Sequence, residues 1–171
     1  LRDRFCIQLK LDFYHDDELK NIIIRDCELL NIRIEDNASL EIAKRSRGTA
    51  RIAIRLLKRV RDFAIVMNKK MIDKESVDIA LNKLDIDYIG LDTLDRKYLN
   101  FIAKNYNGGP VGIDTIASGL SEERDSIEDT IEPFLIQQGF INKTPRGRML
   151  TTTAYNHLGI KKSFDDYDLF N

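Results

Sequence analysis

The chain has 171 residues, 43% of them hydrophobic, with 9 Gly, 3 Pro and no Trp; 27 Lys and Arg stand against 28 Asp and Glu. This is the composition of a folded globular protein rather than a disordered one, and the length allows one domain or two small ones. No apolar run approaches the roughly 18 residues of a membrane span and no signal-peptide core follows Leu1, so no membrane partner is expected.

The near-neutral total hides an asymmetry. Residues 1–84 carry 18 basic and 14 acidic residues, whereas residues 85–150 carry 7 and 11. Eight basic residues and no acid lie between Lys44 and Arg61. Such a run is a solvated helix face or meets phosphate or an acidic neighbour.

Taken in chain order, Ile7, Leu9, Leu11 and Phe13 alternate loosely and predict a short extended segment. Asp16 reads as an N-cap with Asp17 and Glu18 in the first turn, where the helix dipole favours acids. Leu19, Ile22, Ile23, Cys27 and Leu30 then share a helical face. Asp36 opens a second helix that Gly48 closes. A third begins near Thr49, with Ala53, Leu56, Leu57, Val60, Phe63, Ala64 and Met67 recurring every three or four residues and Arg51, Arg55, Lys58 and Arg59 mostly on other faces. Asp73 caps a fourth. Four helices in about 70 residues predict a small all-α unit. Residues 85–91 (DIDYIGL) have no clear period and mark the junction.

A fifth helix is predicted from Asp92 to Asn105, stopped by Gly108-Gly109-Pro110. A short helix spans Thr115 to Ser118. Ser121 reads as the cap of the next, in which Pro133 must kink the helix or remove a hydrogen bond. Two β-like runs follow, Phe140–Lys143 and Met149–Thr152, with Arg146 and Arg148 on the turn between them. A last helix over Thr153–Leu158 ends at Gly159. Three helices followed by a basic hairpin is the winged-helix order. The fold class is mainly α: a small helical domain, then a winged helix with a short β-hairpin.

Chemistry-bearing motifs are few. No Gly is followed by Lys, so a GxxxxGK[ST] phosphate loop is absent, as are HExxH and GxSxG. Cys6 and Cys27 lack CxxC spacing, and His15 and His157 lack ligand-like neighbours; a reduced cytoplasmic protein with no metal site is expected.

Seven ordered segments carry a resemblance: residues 1–5 (LRDRF), 11–14 (LDFY), 47–53 (RGTARIA), 55–64 (RLLKRVRDFA), 108–112 (GGPVG), 132–140 (EPFLIQQGF) and 144–149 (TPRGRM). They closely resemble the RuvB family, bacterial AAA+ ATPases that drive branch migration of Holliday junctions. The resemblance implies a C-terminal fragment without the large ATP-binding domain. Its parts are then residues 1–14 as the edge of that domain, 15–84 as the helical AAA+ lid, 85–91 as linker, 92–160 as a winged-helix DNA-binding domain and 161–171 as a polar tail. The parent would be a homohexamer using ATP/ADP with Mg²⁺, partnered by RuvA and by duplex DNA of four-way junctions. The fragment alone would be monomeric, would hold no nucleotide tightly and would not hydrolyse ATP.

The resemblance also assigns residues. Arg4 matches the arginine finger that reaches the γ-phosphate held by the neighbouring subunit, with Arg2 the competing candidate on residues alone; a guanidinium there stabilises charge on the transferring phosphoryl group. Tyr14 matches a nucleotide-contacting tyrosine, and Arg51 a nucleotide sensor at a helix start. Arg124, Lys143 and Arg148 match DNA-backbone contacts, with Arg146 as a helper. Lys143 stands where the family often has Arg, which removes the bidentate fork, and Ala50 where Pro is common.

The predicted DNA-facing helix carries Glu122, Glu123, Asp125, Glu128, Asp129 and Glu132. These acids repel phosphate, so binding should rest on a few cations and be indifferent to sequence. The same acids leave a second reading open, a winged-helix module that binds a basic protein. A stand-alone transcription regulator is disfavoured by them.

Overall fold

The computed structural model describes residues 12–160. Arg2, Arg4, Cys6, most of the extended segment expected at 7–13 and the tail from Lys161 lie outside the described residues. The chain divides into two compact units, with the division between Gly90 and Leu91.

The first unit is built from α1 (Asp16–Leu29), α2 (Asp36–Lys44), α3 (Ala50–Val66) and α4 (Lys74–Lys83). The buried hydrophobic residues of these helices are Leu19, Ile23 and Cys27; Ala38, Ile42 and Ala43; Ala53, Leu56, Leu57, Val60 and Ala64; Val77, Ala80 and Leu81. They follow the expected periodicity in α1, α3 and α4 except at Leu30, the C-cap of α1 and 41% exposed, whereas in α2 Leu40, expected inside, is only partly buried. The cap of α1 is His15 rather than Asp16; its N–H donates to Glu18 Oε2 at 2.8 Å, so Glu18 closes the first turn. Asp73 caps α4 as expected, accepting from Ser76 N at 2.8 Å. Lys69 Nζ, 2.7 Å from Asp73 Oδ2, holds that carboxyl well below its ordinary range, with help from Ser76. A parallel bridge joins Ile34 to Ile72 and pins the two loops that precede α2 and α4. Burial, with some help from Asp26, pushes the Cys27 thiol up to about 11, so this sulfur packs rather than reacts.

Residues 85–91 are folded onto the first unit as far as Gly90. Ile86 packs against the first core and its N–H donates to the Leu81 carbonyl at 2.9 Å. Arg47 Nε donates to the Gly90 carbonyl at 2.9 Å.

The second unit holds α5 (Thr93–Asn105), α6 (Ile113–Leu120), α7 (Arg124–Ser126), a π-helical turn (Ile127–Ile131), α8 (Glu132–Gln137), β1 (Ile141–Thr144), β2 (Gly147–Leu150) and α9 (Thr152–Leu158). Asp92 and Asp95 cap α5 reciprocally: Asp92 Oδ1 accepts from Leu94 N and Asp95 N, and Asp95 Oδ2 accepts from Asp92 N. The helix expected at 115–118 is twice that length. Ser121 does not cap the following helix. It closes α6 in a left-handed conformation, φ 56°, while the Glu122 N–H reaches back to the Ala117 carbonyl, and Glu123 becomes the next N-cap. Pro133 sits in the first turn of α8, where its missing N–H is tolerated. The chain reaches that position through the π-turn, in which the Glu132 N–H bonds five residues back to the Ile127 carbonyl.

The strands pair antiparallel with Ile141 opposite Leu150 and Lys143 opposite Arg148. Only Pro145 and Arg146 form the turn, so Arg148 belongs to β2 rather than to the loop. Val111 adds a third short rung: its N–H donates to the Arg148 carbonyl at 3.0 Å and its carbonyl accepts from Arg148 N at 2.8 Å. Tyr98, Leu99, Ile102, Ile116, Ile127, Leu135 and Phe140 make the centre of this core.

Candidate functional site

In the second unit, the π-turn and α8 aim two carboxylates at the hairpin. Glu132 is 2% exposed at its side chain, and Arg148, reaching it from β2, is 8% exposed. Arg148 Nε lies 2.6 Å from Glu132 Oε1 and Nη2 lies 3.0 Å from Oε2, a bidentate pair. The Tyr98 hydroxyl donates to the same Oε1 at 3.0 Å, from α5. Burial and the adjacent Glu132 carboxylate push the Tyr98 hydroxyl far above its ordinary range, so it stays a donor. Glu132 likewise raises Arg148, which stays charged.

Outward from that pair lies Glu128. Its Oε1 accepts from Arg148 Nη2 at 2.7 Å and from Lys143 Nζ at 2.9 Å; its Oε2 accepts from Arg124 Nε at 3.1 Å. Lys143 also approaches Glu132 Oε2 at 3.6 Å, and Arg124 Nη1 approaches Asp114 Oδ1 at 3.4 Å. Arg124 and Lys143 are both about half exposed. Three cations, the two glutamates and, at the edge, Asp114 thus form one cluster whose formal charges cancel.

The four cations expected at this surface therefore differ in role. Arg124, Lys143 and Arg148 converge on Glu128, and Lys143 and Arg148 also reach Glu132. Arg148, expected on the turn, lies instead in β2, where it is buried and paired with Glu132. Arg146, exposed on the hairpin turn, has no ion-pair partner among the described residues. Sequence reasoning misses Tyr98, Glu128 and Glu132 as partners of these cations. A signal is present: Arg148 lies two residues from buried Leu150, and strand alternation puts both on one face.

Lys143 first, then Arg124 and Arg148, lower the Glu128 carboxyl from its ordinary 4.5 to about 2. A depressed carboxylate stabilises the fold fully above its unfolded value and loses that contribution as the pH falls through its folded one. The melting temperature should therefore decline between about pH 4.5 and 2. Glu128→Gln should already melt lower at neutral pH and show a shallower decline. Parallel slopes for the two proteins in a pH series of thermal melts would rule the contribution out.

The first unit presents a second surface. The Tyr14 N–H donates to the Gly48 carbonyl at 2.9 Å, just before α3. Gly48 has φ +64°, and a Cβ there would meet Phe13 Cβ at 2.7 Å, so glycine lets residues 13–14 cross the start of this helix. Thr49, the N-cap, makes no side-chain cap; its hydroxyl donates to the Arg47 carbonyl instead. The first-turn N–H groups of α3 are thus left without a side-chain cap, beside the exposed side chains of Arg51 and Tyr14. Uncapped N–H groups and a guanidinium are a donor set suited to a nucleotide phosphate, and the aromatic ring offers a packing surface for the rest of a nucleotide.

Three cations of the basic run are ion-paired within the unit: Arg45 with Asp78 and Glu41, Lys44 with the same Glu41, and Arg61 with Asp62. Arg51, Arg55, Lys58 and Arg59 remain exposed and, with Ile54, line a groove of about 500 Å³. Among the described residues no group of three or more His, Cys, Asp or Glu could hold a metal ion, and no helix is long and apolar enough to cross a membrane.

Comparison with known proteins places both units. Residues 14–87 match the RuvB AAA lid domain and residues 81–159 the RuvB C-terminal winged helix domain. The chain is 55% identical over 174 residues to the Holliday junction branch migration complex subunit RuvB of Rickettsia africae, covering all of this chain and 51% of that protein. It is similar to a solved structure of the Thermotoga maritima RuvB Holliday junction branch migration motor, with a TM-score of 0.90 and 49% identity over 94% of this chain and 54% of that one. A solved structure of a point mutant of the Thermotoga protein matches equally well, at 0.90 and 49%, over 53% of its chain. The chain therefore spans about half the length of the relatives it matches. Two consecutive domain matches and a shared three-dimensional structure at this identity show that the chain belongs to the RuvB family, as its lid and C-terminal winged helix.

Proposed function

We propose that the chain is the C-terminal part of an ATP-dependent motor subunit that drives branch migration of Holliday junctions in bacterial DNA recombination and repair. The identity to a branch migration subunit along the whole chain carries this reading. The whole protein would be a cytoplasmic hexamer working with RuvA. Its ATP and Mg²⁺ would be bound largely by a large domain whose phosphate loop this chain does not contain. ATP would supply the free energy of the motion.

Residues of both units fit parts of that work. Arg51 and the uncapped start of α3 would hold a phosphate of the nucleotide, and Tyr14 would pack beside it. This couples α3, and with it the lid, to the state of the nucleotide. Arg4 would act in trans on the neighbouring subunit's phosphate. In the winged helix, Arg146 at the turn, with Lys143 and Arg124 behind it, would grip the DNA backbone. Arg148 holds the hairpin against α8 and lends its charge from below. The exposed Glu123, Asp125 and Asp129 oppose close reading of bases, so grip without sequence preference follows.

The test is fluorescence anisotropy with labelled duplex and four-way-junction DNA. Binding should be weak, and log affinity should fall with log salt at a slope of about −3 for three phosphate contacts. Arg146→Glu with Lys143→Glu should abolish binding. Because Lys143→Glu also sets a like charge against Glu128 and lowers the melting temperature, Arg146→Glu alone, which should weaken binding with a melting curve close to wild type, separates grip from fold. Binding that survives the double reversal would place the DNA elsewhere.

A further inference from the structure

Glu128 stands where three cations meet, and its two oxygens are engaged by Arg148, Lys143 and Arg124 at 2.7, 2.9 and 3.1 Å. A carboxylate so held offers the same chemistry as a phosphodiester: one negative charge spread over two oxygens, facing guanidinium and ammonium donors. Its position differs from that of Glu132. Glu132 is 2% exposed and closes the hairpin onto the helix, whereas Glu128 is 24% exposed and two of its partners are half exposed. Arg148 already has a bidentate partner in Glu132, so Glu128 is not needed to neutralise it. Glu128 instead occupies donors on the two cations, Lys143 and Arg124, that face solvent.

We propose that Glu128 is an internal stand-in for the DNA phosphate, an affinity-setting residue that Lys143 and Arg124 must release before they can hold the backbone. This rests on the reading of the hairpin as the DNA-binding surface. With Asp114 on Arg124 counted, DNA arriving at the cluster meets a net charge of 0 rather than the +1 it would meet without Glu128, and each cation it takes must first leave a carboxylate. Binding is thereby kept weak and release fast, as suits a protein that must let go of DNA repeatedly. No contact to the bases is required, so the effect is the same for any sequence.

The experiment is anisotropy and stopped-flow dissociation with a labelled duplex over a salt series. It compares wild type with Glu128→Gln, Glu128→Ala, Glu128→Asp and Arg146→Glu. Glu128→Gln should bind on the order of tenfold tighter at low salt, with a salt slope steeper by about one and slower release. Glu128→Ala makes the same charge change without the amide and should behave alike, so a folding defect in one variant does not decide the result. Glu128→Asp keeps the charge and should stay near wild type. A merely structural Glu128 would move the melting temperature without steepening the salt slope. Unchanged or weaker binding by both neutral variants, with binding still lost in Arg146→Glu, would overturn the proposal and leave the DNA surface in place. Binding that Arg146→Glu does not affect would instead overturn the DNA surface itself, and the proposal with it.

Discussion

Glu132→Ala should unfold the winged-helix unit under conditions in which wild type is stable. The substitution leaves the guanidinium of Arg148, 8% exposed, without its bidentate partner, and leaves the buried Tyr98 hydroxyl without its acceptor. Removing one member of a buried ion pair costs about 3–5 kcal/mol, because the other charge is left desolvated. For a domain of this size that is a drop of roughly 15–30 °C in melting temperature. Arg148→Ala should do the same from the other side, leaving the buried Glu132 carboxylate with only Lys143, at 3.6 Å, as counter-charge. The triple replacement Glu132→Met, Arg148→Met and Tyr98→Phe removes every polar group of the buried trio together. It should recover most of the loss, since apolar substitutes for a whole buried pair are often neutral or better. Thermal unfolding of the four proteins decides the matter: if Glu132→Ala melts within a few degrees of wild type, the pair does not hold the hairpin. Charge reversal at Arg148 is for the same reason a poor probe of DNA binding, because loss of binding would follow from loss of the fold.

Gly147→Ala should be comparably damaging. Gly147 has φ +133°, a region L residues rarely adopt, and a Cβ there would collide with the Val111 carbonyl. That carbonyl cannot retreat, because Val111 is bonded through both its N–H and its C=O to Arg148. Strained backbone costs about 1–3 kcal/mol, and overpacking adds about 1–3 kcal/mol. Gly139→Ala is the control. Its φ is +69°, but nothing lies within 4 Å of the added atom, so only the left-handed penalty of about 1–2 kcal/mol applies. Melting temperatures should rank wild type above Gly139→Ala above Gly147→Ala. Amide exchange at Val111 and Arg148 should rise only in the last. Equal stability of the two alanine variants would show that the hairpin does not depend on the close approach at Gly147.

What can be read directly from the chain is local. The stripe Ala53, Leu56, Leu57, Val60 and Ala64, the cap at Asp73 and the Gly108-Gly109-Pro110 stop after the fifth helix lie within a few residues of what they organise, so periodicity and side-chain chemistry are enough to place α3, α4 and α5. The ordered motifs also carry the family and the residue types of both surfaces. Ser121 goes the other way because a polar residue between two helices can end one or begin the next, and only the backbone angle decides. The roles of the cations depend wholly on tertiary structure. Arg148 meets Glu132 across 16 residues and Glu132 meets Tyr98 across 34, separations at which no local pattern operates. Residue order alone dictates that positive charge gathers on the hairpin and acids on the helix beside it. The fold is what takes one arginine out of solvent onto Glu132, sets Glu128 among three cations at once and leaves Arg146 facing outward. The physical reason is that burial and pairing change what a charge can do, and both are set by neighbours distant in the chain.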